Sequence, residues 1–487
     1  MSSSDMPAEA NRGARQKAVI LGGGFAGLWI GYQLQKEGYQ VEILEQDKTP
    51  GGILKTITKE GFYFDLGPHI FLEPHVPHYR DLVGDDLRRI NGFYGFGFRG
   101  KEIPSPISPA NLIKTLGVAA TIPLTASMVW ARAKAAVHRD APGNVEEILC
   151  RRFGARIYRY FFRDYVPKVT GLPCTEVSVD WFTERYRFYQ EHNLWKETVR
   201  KGLGTLRSAA RKRHTEEEGL TLYYPRRGAA MITEALVGRI REQGGCIRLE
   251  TTVDRVAVAS DRVEHVGYTS PEGTGKAQGD IVISTIPVTS LIDRMWPEVP
   301  QETRAASTAL SFRRLALFFC IVSRPRLSDK IQIYFPEARY PFKRIYEPKN
   351  LDPSMGTAQT TGICVEVCFD GKAGSFASVR DEMYESVLGG VAHFYRIRPE
   401  EVSLVAAIEI PHAYAIYEKG YERHLGTLAR HLIRYDNLVS YGRQGSFRYN
   451  HLVDRVIDAS GRVMEFLRSG TSKKAFLKDA HPKSEFF

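Results

Sequence analysis

A glycine-rich turn near the start of the chain constrains the fold more than any other feature. Residues 17–21 (KAVIL) are apolar and partly β-branched, as expected of a buried strand. Residues 22–27 (GGGFAG) follow directly and contain the spacing GxGxxG. Apolar residues then recur at helical spacing over residues 25–36, and residues 40–44 (QVEIL) have the pattern of a second strand. The sequence therefore predicts a strand, a tight turn, a helix and a second strand in immediate succession.

Each glycine of this turn has a physical role in binding a dinucleotide. Gly22 permits the tight turn, Gly24 lets the backbone approach a pyrophosphate, and Gly27 lets the helix pack close to the strand. The N-terminus of the helix attracts phosphate, and Glu45, after the second strand, is placed to bind ribose hydroxyls and to repel the 2′-phosphate of NADP. The sequence predicts a Rossmann-type site with cofactor contacts at Gly22, Gly24, Phe25, Ala26, Gly27 and Glu45.

The segment after Glu45 favours FAD over NAD. A second glycine pair, Gly51 and Gly52, is followed by residues 61–71 (GFYFDLGPHIF). Here the chain resembles the flavoprotein superfamily of protoporphyrinogen oxidases, amine oxidases, carotenoid desaturases and UDP-galactopyranose mutases. In that superfamily the second pair continues the dinucleotide site, and a DxG segment, here starting at Asp65, lies beside the flavin ring. The resemblance implies FAD and further contacts at Gly51, Gly52, Lys55, Gly67, Pro68 and His69.

The resemblance extends along nearly the whole chain in dispersed motifs. Residues 145–185 are similar to a helical segment of the substrate domain, on the evidence of Lys168, Gly171, Pro173 and Arg185. Residues 224–253 and 280–287 (DIVISTIP) resemble two passages of the FAD domain, in which the equivalent of Val253 meets the adenine. Residues 437–447 resemble the closing segment, whose helix N-terminus lies near the flavin. This likeness implies the last contacts, Val253, Gly442, Arg443 and Asp454.

The predicted fold class is α/β, with a Rossmann-type FAD-binding domain and an inserted α+β substrate domain. The FAD-binding domain is predicted from residues 17–104, 215–290 and 405–467, and the substrate domain from residues 105–214 and 291–404. The proline-rich step at residues 104–109 marks the first crossing between them. Residues 1–16 are expected to be a disordered leader and residues 468–487 a flexible tail.

The flavin carries the difficult chemistry in such a protein, so no catalytic acid or base is compulsory. The first hypothesis is an oxidase or dehydrogenase that removes hydride from a C–H bond of a small, hydrophobic or amphipathic substrate, with oxygen or another acceptor. The alternatives are a sugar-nucleotide mutase that uses reduced FAD and a flavin-binding protein without catalysis. Two departures count against the mutase: Thr170 replaces a usual tryptophan, and Ala415 replaces the proline of a YPV motif.

Two residues are candidates for a direct part in the chemistry. His69 is expected at the wall of the flavin ring and Arg443 near the closing flavin segment, where either would tune or orient the reactants. A structural hydrogen bond is the alternative for His69. Tyr414, Tyr417 and Tyr421 either shape the substrate pocket or belong to the core.

Charge suggests partners without identifying one. The net charge is +11, with basic runs at residues 151–163 and 200–213 that form solvated helix faces or meet an anionic substrate or membrane surface. Nucleic acid is not expected, because the runs lack a recognised binding motif. Six scattered cysteines suggest neither disulfides nor a metal site and fit a reducing cytoplasm. The oligomeric state is left open.

One apolar segment remains ambiguous. Residues 117–130 (GVAATIPLTASMVW) carry no charge but are too few to cross a bilayer. They predict either a helix of the core or of a pocket roof, or peripheral contact with a membrane. The predicted location is accordingly the cytoplasm, with a membrane surface as the alternative.

Overall fold

A computed structural model describes residues 15–92, 94–105, 109–137, 141–184, 220–371, 374–449, 453–477 and 486–487. Most of the predicted leader (1–14), Arg185, the basic run at 200–213 and part of the predicted tail (478–485) lie outside these residues. The strands are β1 (Lys17–Leu21), β2 (Gln40–Leu44), β3 (Thr56–Lys59), β4 (Phe62–Asp65), β5 (Leu87–Gly92), β6 (Tyr94–Phe98), β7 (Lys101–Pro104), β8 (Leu220–Pro225), β9 (Cys246–Arg248), β10 (Thr252–Ala259), β11 (Arg262–Ser270), β12 (Gly273–Ala277), β13 (Ile281–Ser284), β14 (Met295–Trp296), β15 (Phe312–Val322), β16 (Gln332–Tyr334), β17 (Arg344–Tyr346), β18 (Thr361–Phe369), β19 (Val402–Ala415) and β20 (Leu438–Ser440).

The α-helices of the same residues connect and cover these strands. They are α1 (Phe25–Lys36), α2 (Val76–Val83), α3 (Pro109–Leu116), α4 (Val118–Val137), α5 (Val145–Phe153), α6 (Ala155–Phe161), α7 (Tyr165–Thr170), α8 (Ala230–Glu242), α9 (Val288–Arg294), α10 (Gln301–Thr308), α11 (Phe376–Tyr395), α12 (Tyr421–Leu432), α13 (Gly442–Gly445), α14 (Val453–Ser469) and α15 (Lys473–Phe476). Among the helices described, none is both long enough and apolar enough to cross a membrane.

One of the two large sheets is entirely parallel. Its strand order is β20-β13-β1-β2-β9, and every neighbouring pair is parallel. The central strands are almost wholly buried, which their continuous apolar sequence requires. Because the strands are parallel, their carboxyl ends meet at one edge, where Gly22, Glu45, Thr285 and Tyr441 follow. This edge is where open α/β sheets bind ligands.

The other large sheet has seven strands. Its order is β19-β15-β18-β17-β16-β6-β7, and β15 pairs antiparallel with both β18 and β19. Helix α11 covers one face, with Tyr384 stacked 6.0 Å from Phe318. The presence of one parallel and one mixed sheet with helices confirms the predicted α/β class.

The sheet boundaries differ from the sequence-predicted domain boundaries at two places. Strands β6 and β7 lie within the predicted segment 17–104 and most of β19 lies within the predicted segment 405–467, yet all three pair within the seven-stranded sheet. The first of these strands, β6 (YGFGF), lies before the proline-rich step at residues 104–109. The division into two domains stays a prediction.

Smaller elements join the two sheets. Strands β10, β11 and β12 form an antiparallel meander edged by β14, and β5 pairs with β8. Helices α3 to α6 form a separate layer against the β6–β7 hairpin. Their shared core contains Phe98, Ile103, Leu112, Leu124, Ile157 and Phe161.

Candidate cofactor site and active site

The glycine turn after β1 has the geometry that a dinucleotide site needs. Gly22 has a φ of +99°, which favours glycine. A Cβ at Gly27 would lie 2.0 Å from the Gly22 carbonyl oxygen, so a larger residue would push α1 off the strand. Helix α1 starts at Phe25 with Gly24 as its N-cap, so the positive end of the helix faces the turn.

The second glycine pair lies directly against this turn. The Gly51 N–H donates to the Gly23 carbonyl at 2.7 Å, and a Cβ at Gly52 would lie 3.0 Å from the Gly24 Cα. Gly51 has a φ of +116° and Gly52 a φ of +57°. The two segments, separated by more than twenty residues, thus form one cradle of bare backbone that a pyrophosphate could approach.

Glu45 lies against the cradle rather than in open solvent. Its Oε2 accepts a hydrogen bond from the Gly23 N–H at 2.5 Å, and its Oε1 accepts one from the Asp47 N–H at 2.8 Å. Burial raises the pKa of Glu45. A Cβ at Gly23 would lie only 3.0 Å from the Glu45 Cβ. Gly23, to which the sequence analysis assigned no role, therefore helps to position Glu45.

Three other predicted contacts lie in different surroundings. Lys55 pairs with Asp47 at 2.5 Å, beside the cradle. The Thr251 N–H donates to the Glu45 carbonyl. Val253, two residues later in the chain, therefore lies near Glu45. Asp454 is buried at the start of α14 and accepts a hydrogen bond from the Tyr79 hydroxyl.

Asp65 of the DxG segment is a buried junction between elements. Its carboxylate accepts hydrogen bonds from the hydroxyls of Thr56 (2.6 Å) and Tyr224 (2.5 Å) and from the Ala229 N–H (3.0 Å). The Tyr346 hydroxyl donates to its backbone carbonyl at 2.5 Å. Burial raises the pKa of Asp65 to about 6. The residue ties β3, β4, β8 and β17 together.

His69 connects the cradle with a charged cluster. Its Nε2 lies 2.8 Å from the carbonyl of Ile53, the residue after the second glycine pair. Burial, followed by the positive charges of Arg443 and Arg344, lowers the pKa of His69 to about 4. The ring is therefore neutral at pH 7, and Nε2 is the nitrogen that donates to the carbonyl.

The charged cluster faces the DxG segment from the seven-stranded sheet. Glu366 is fully buried in β18; its Oε1 accepts from Arg344 at 2.6 Å, and its Oε2 lies 2.8 Å from the Lys343 Nζ. A Cβ at Gly67 would lie 3.5 Å from Glu366 Oε1. Burial would raise the pKa of Glu366, but Arg344 and Lys343 outweigh it and lower the pKa. The carboxylate is ionised.

Arg443 completes the cluster from the other side. Its guanidinium donates to the Ala413 carbonyl at 2.6 Å and lies 5.0 Å from the centre of the Tyr414 ring. The Lys343 Nζ donates to the Tyr414 hydroxyl at 2.5 Å. Gly442, one residue before Arg443, packs closely against Ala26 of α1. A Cβ added at position 442 would lie only 2.8 Å from the Ala26 Cβ. The cluster therefore begins one residue away from the cradle.

The sequence reading found His69 and Arg443 but missed their partners Lys343, Arg344 and Glu366. One signal was available: Glu366 is the single charged residue among the nine of β18 (TGICVEVCF). A carboxylate in an otherwise apolar strand needs a buried cation. The cation pair lies more than twenty residues earlier in the chain, which is why its role was not apparent.

The three tyrosines named from the sequence separate in the structure. Tyr417 and Tyr421 are buried and stack with ring centres 4.2 Å apart, so they belong to the core. Tyr414 instead lies among the cations and 5.3 Å from the Tyr449 ring. Of the three, Tyr414 alone contacts the charged cluster.

The positions that depart from the mutase pattern are both buried. The Thr170 hydroxyl donates to the Val166 carbonyl at 2.8 Å, a bond within its own helix. Ala415 is 2% exposed at the end of β19. Nearby, Lys168 donates to the carbonyls of Phe335 and Glu337, and burial lowers its pKa to about 8. Lys168 thus ties α7 to the segment that follows β16.

The arrangement combines a backbone cradle with a cationic wall. Lys343, Arg344 and Arg443 carry three positive charges against the one negative charge of Glu366. Such preorganised charge stabilises negative charge that develops beside it. The glycine cradle and the buried acid fit the pyrophosphate and ribose of a dinucleotide, and the cationic wall fits a redox ring that becomes more negative on accepting hydride.

Comparison with protein families and with curated proteins gives consistent matches. The family model described as flavin containing amine oxidoreductase matches residues 25–373. A 1-hydroxycarotenoid 3,4-desaturase of Flavobacterium sp. (strain P99-3) is 23% identical over 362 residues, which are 70% of this chain and 71% of that protein. A neurosporene-forming phytoene desaturase of Rhodobacter capsulatus is 28% identical over 264 residues, about half of each chain.

Solved structures share the fold. The structure of reduced UDP-galactopyranose mutase matches with a TM-score of 0.75 and 21% identity, covering 96% of this chain and 98% of that chain. A protoporphyrinogen oxidase-like protein from Exiguobacterium sp. 255-15 matches with a TM-score of 0.68 and 14% identity, covering 94% and 100%. At these identities the likeness concerns the fold.

Proposed function

Because this chain belongs to the flavin-containing amine oxidoreductase family and is an FAD-dependent enzyme, we propose that it removes hydride from a C–H bond of a small organic substrate. The observation that carries the proposal is the cationic wall of Lys343, Arg344 and Arg443 beside the glycine cradle. Positive charge at this position favours transfer of hydride from a substrate carbon to the flavin. The acceptor that reoxidises the cofactor is oxygen or another oxidant.

The geometry of the cradle supports a proposal for the residues that hold FAD. We propose that the backbone of Gly22, Gly24 and the start of α1 binds the pyrophosphate, and that Glu45 binds the ribose. The segment at Val253 would meet the adenine, since it runs beside Glu45. The remaining proposed contacts from the sequence are Phe25, Ala26, Gly27, Gly51, Gly52, Lys55, Gly67, Pro68, His69, Gly442, Arg443 and Asp454.

His69 would act as a neutral positioning residue and not as an acid. Its lowered pKa keeps the imidazole uncharged at pH 7, and its Nε2 is engaged by the Ile53 carbonyl. Nδ1, which carries no proton in that tautomer, would then be able to accept a hydrogen bond. Arg443 would hold positive charge at the ring edge, fixed in place by the Ala413 carbonyl.

Aromatic side chains close to the cluster support a substrate with a hydrophobic part. Tyr334 lies 5.8 Å from Phe96 and 6.3 Å from Tyr165, and the Arg344 guanidinium lies 5.8 Å from the Tyr334 ring. Such rings provide a large apolar surface with polar edges. We propose that the substrate binds between this aromatic group and the flavin, with any polar group directed toward the cations.

A second candidate is flavin-dependent isomerisation of a sugar nucleotide without net redox change. The excess of cations around Glu366 favours it, because guanidinium groups suit a diphosphate. Thr170 argues against it, since it offers no aromatic surface where the mutases have a tryptophan.

An absorption spectrum with anaerobic reduction and reoxidation tests the proposal. The purified protein is expected to show flavin bands that bleach on anaerobic addition of a substrate from a panel of amines, porphyrinogens and polyenes. Rapid recovery of the bands in air identifies an oxidase, and recovery only with an added acceptor identifies a dehydrogenase. If the protein instead converts a sugar nucleotide, and does so only after the flavin has been chemically reduced, the result would favour the mutase hypothesis.

Arg443→Gln gives a structural check on the same reaction. It removes one positive charge from the wall, so we expect slower flavin reduction and a lower flavin reduction potential, with FAD still bound. Arg430→Gln, on the exposed surface of α12, is the matched control. Equal potentials for the two variants would contradict the role assigned to the wall.

We also propose that the enzyme works in contact with a membrane surface. Large exposed apolar side chains concentrate on helices α3 and α4, which include Ile113, Val118, Ile122, Val129, Trp130 and Val137. Contact of this kind would give a hydrophobic substrate a short path to the site. Flotation of the purified protein with lipid vesicles tests the contact directly.

A further inference from the structure

Helix α4 presents a continuous apolar side to solvent. Val118, Ile122 and Val129 are 57%, 62% and 60% exposed, and Trp130 and Val137 are 68% and 78% exposed. At about 100° per residue these positions fall within roughly 120° of arc, the width of one helix face. The other exposed residues of the same arc are alanines: Ala119, Ala126, Ala133 and Ala136.

The opposite side of α4 is the one that packs on the protein. Thr121, Leu124 and Ala131 are buried, and Leu124 belongs to the core shared with α6 and the β6–β7 hairpin. Helix α4 therefore has one apolar face inside and another outside. The sequence left two hypotheses for residues 117–130, a core or pocket helix and a membrane contact. A core helix explains the buried face of α4 but not the exposed apolar face.

The structure brings the first basic run of the sequence beside this helix. The N–H of Arg156, at the start of α6, donates to the Ser127 hydroxyl at 3.2 Å, and Arg151 donates to the Ala135 carbonyl at 3.2 Å. Arg156 and Arg159 are exposed. Two features that were independent in the sequence, an apolar segment and a cluster of arginines, therefore form one surface.

The charge of this surface has one dominant sign. Residues 109–137 contain Lys114, Arg132 and Lys134 and no Asp or Glu, and helices α5 and α6 add four arginines against two glutamates. The Lys134 Nζ lies 5.5 Å from the centre of the Trp130 ring. An amphipathic aromatic next to a cation is typical of side chains that lie at the level of lipid headgroups.

We propose that the outward face of α4, flanked by the cations of α3 to α6, docks on an anionic phospholipid bilayer with the helix lying in the interfacial plane. The inference rests on the proposed membrane contact and adds the surface and the lipid class. The apolar arc enters the headgroup–acyl boundary, while the surrounding lysines and arginines bind lipid phosphates. Residues of α4 that face the protein keep the substrate-side domain oriented toward the membrane.

Charge complementarity favours anionic lipid over a second copy of the chain as the occupant. Two copies meeting through this face would bring their cationic rims together, and like charges facing each other across an interface are unfavourable. A bilayer rich in phosphatidylglycerol instead supplies both the apolar interior and the negative charge.

Flotation of the FAD-bound protein with two kinds of vesicle tests the proposal. One kind contains phosphatidylcholine alone and the other contains phosphatidylcholine with phosphatidylglycerol. We expect the protein to float with the anionic vesicles at least about tenfold more strongly than with the neutral ones, because several basic side chains near a surface each add attraction. Added salt is expected to weaken the binding.

Matched substitutions locate the docking face. Trp130→Ala is compared with Trp296→Ala, because Trp296 is also exposed (49%) but lies on β14. The pair Arg156→Glu and Arg159→Glu is compared with Arg423→Glu and Arg430→Glu on α12. The substitutions near α4 are expected to weaken flotation by about tenfold, whereas the two controls leave it unchanged. Flavin content per chain confirms that each variant is folded.

Each outcome decides a different part of the inference. Flotation that is equal with both vesicles overturns the anionic preference but leaves membrane contact standing. No flotation with either vesicle overturns both, without bearing on the flavin chemistry measured in solution. Anionic binding that Trp130→Ala and the arginine pair leave intact overturns the assignment to α4. A dimer in solution that Ile122→Asp dissociates would show that a second copy covers this face, and would overturn the proposal.

Discussion

Substitution of Glu366 tests whether the buried charge cluster is a coupled unit. The carboxylate is fully buried, and the side chains of its partners Lys343 and Arg344 are only 5% and 15% exposed. Glu366→Gln keeps the shape but removes the negative charge, so two cations are left buried with too little compensation. We expect the free energy of unfolding to fall markedly.

The size of the effect follows from the distances. Opposite charges separated by 2.8 and 2.6 Å attract each other by about 6 kcal/mol per pair at an effective dielectric constant of about 20. Part of this attraction is offset, because the variant no longer has to desolvate the carboxylate. Removal of one partner from a buried ion pair costs about 3 to 5 kcal/mol, and we expect Glu366→Gln to lie in this range.

Urea-induced unfolding measures the change. The experiment is run at pH 7 with a fixed excess of FAD, because cofactor binding raises the apparent stability. Circular dichroism and flavin fluorescence are both recorded to check that one transition is observed. The control is Glu409→Gln on β19: Glu409 pairs with Arg314 at 2.5 Å, but both side chains are about one fifth exposed, so we expect a loss of about 1 kcal/mol or less.

A double-mutant cycle with Lys343→Met separates coupling from simple damage. If Lys343 and Glu366 depend on each other, the double variant loses less than the sum of the single variants, with a coupling energy of about 2 kcal/mol. A loss for Glu366→Gln no larger than that of the control, or additive losses in the cycle, would refute the reasoning.

Three further predictions concern the glycine turn and the two groups with shifted pKa values. Gly27→Ala is expected to abolish copurification of FAD, because its Cβ would meet the Gly22 carbonyl, whereas Gly238→Ala, with open space around it, keeps full flavin content. His69→Gln is expected to remove up to about 3 kcal/mol of pH dependence between pH 6.5 and 4, where the folded protein with its lowered histidine pKa loses stability as pH falls. Asp65→Asn is expected to remove a dependence of opposite sign between pH 4 and 6, where ionisation of a carboxyl with a raised pKa destabilises the fold as pH rises. Urea unfolding of each variant and of the wild type at several pH values measures both.

The cradle could be predicted from sequence because its requirements are local. A turn with positive φ at Gly22, a helix packed against it and an acid after the next strand all lie within about thirty residues, the span of one βαβ unit. The resemblance alone implied that Gly51 and Gly52 continue this site, and the close approach of Gly52 to Gly24 is seen only in the structure. The glycine turn and the acid are required by local backbone geometry and do not depend on distant parts of the chain.

The charged cluster could not be predicted in the same way, because it is assembled by long-range pairing. Lys343 and Arg344 meet Glu366 only when β17 pairs with β18, and Arg443 meets Tyr414 because α13 packs against the end of β19, at the Ala413 carbonyl. Adjacent basic residues in a sequence are most often solvated. The sequence therefore singled out Arg443 but not Lys343, Arg344 or Glu366.

The two titrations near the cofactor site act against each other, which decides how the pH experiments must be interpreted. His69 makes the fold less stable as pH falls from 6.5 to 4, whereas Asp65 makes it more stable as pH falls from 6 to 4. In the wild type the two contributions overlap and largely cancel, so a flat stability profile would not argue against either shift. Only the difference between each variant and the wild type isolates one group. If the pKa of Asp65 is raised and that of His69 is lowered, the two differences have opposite slopes between pH 4 and 6.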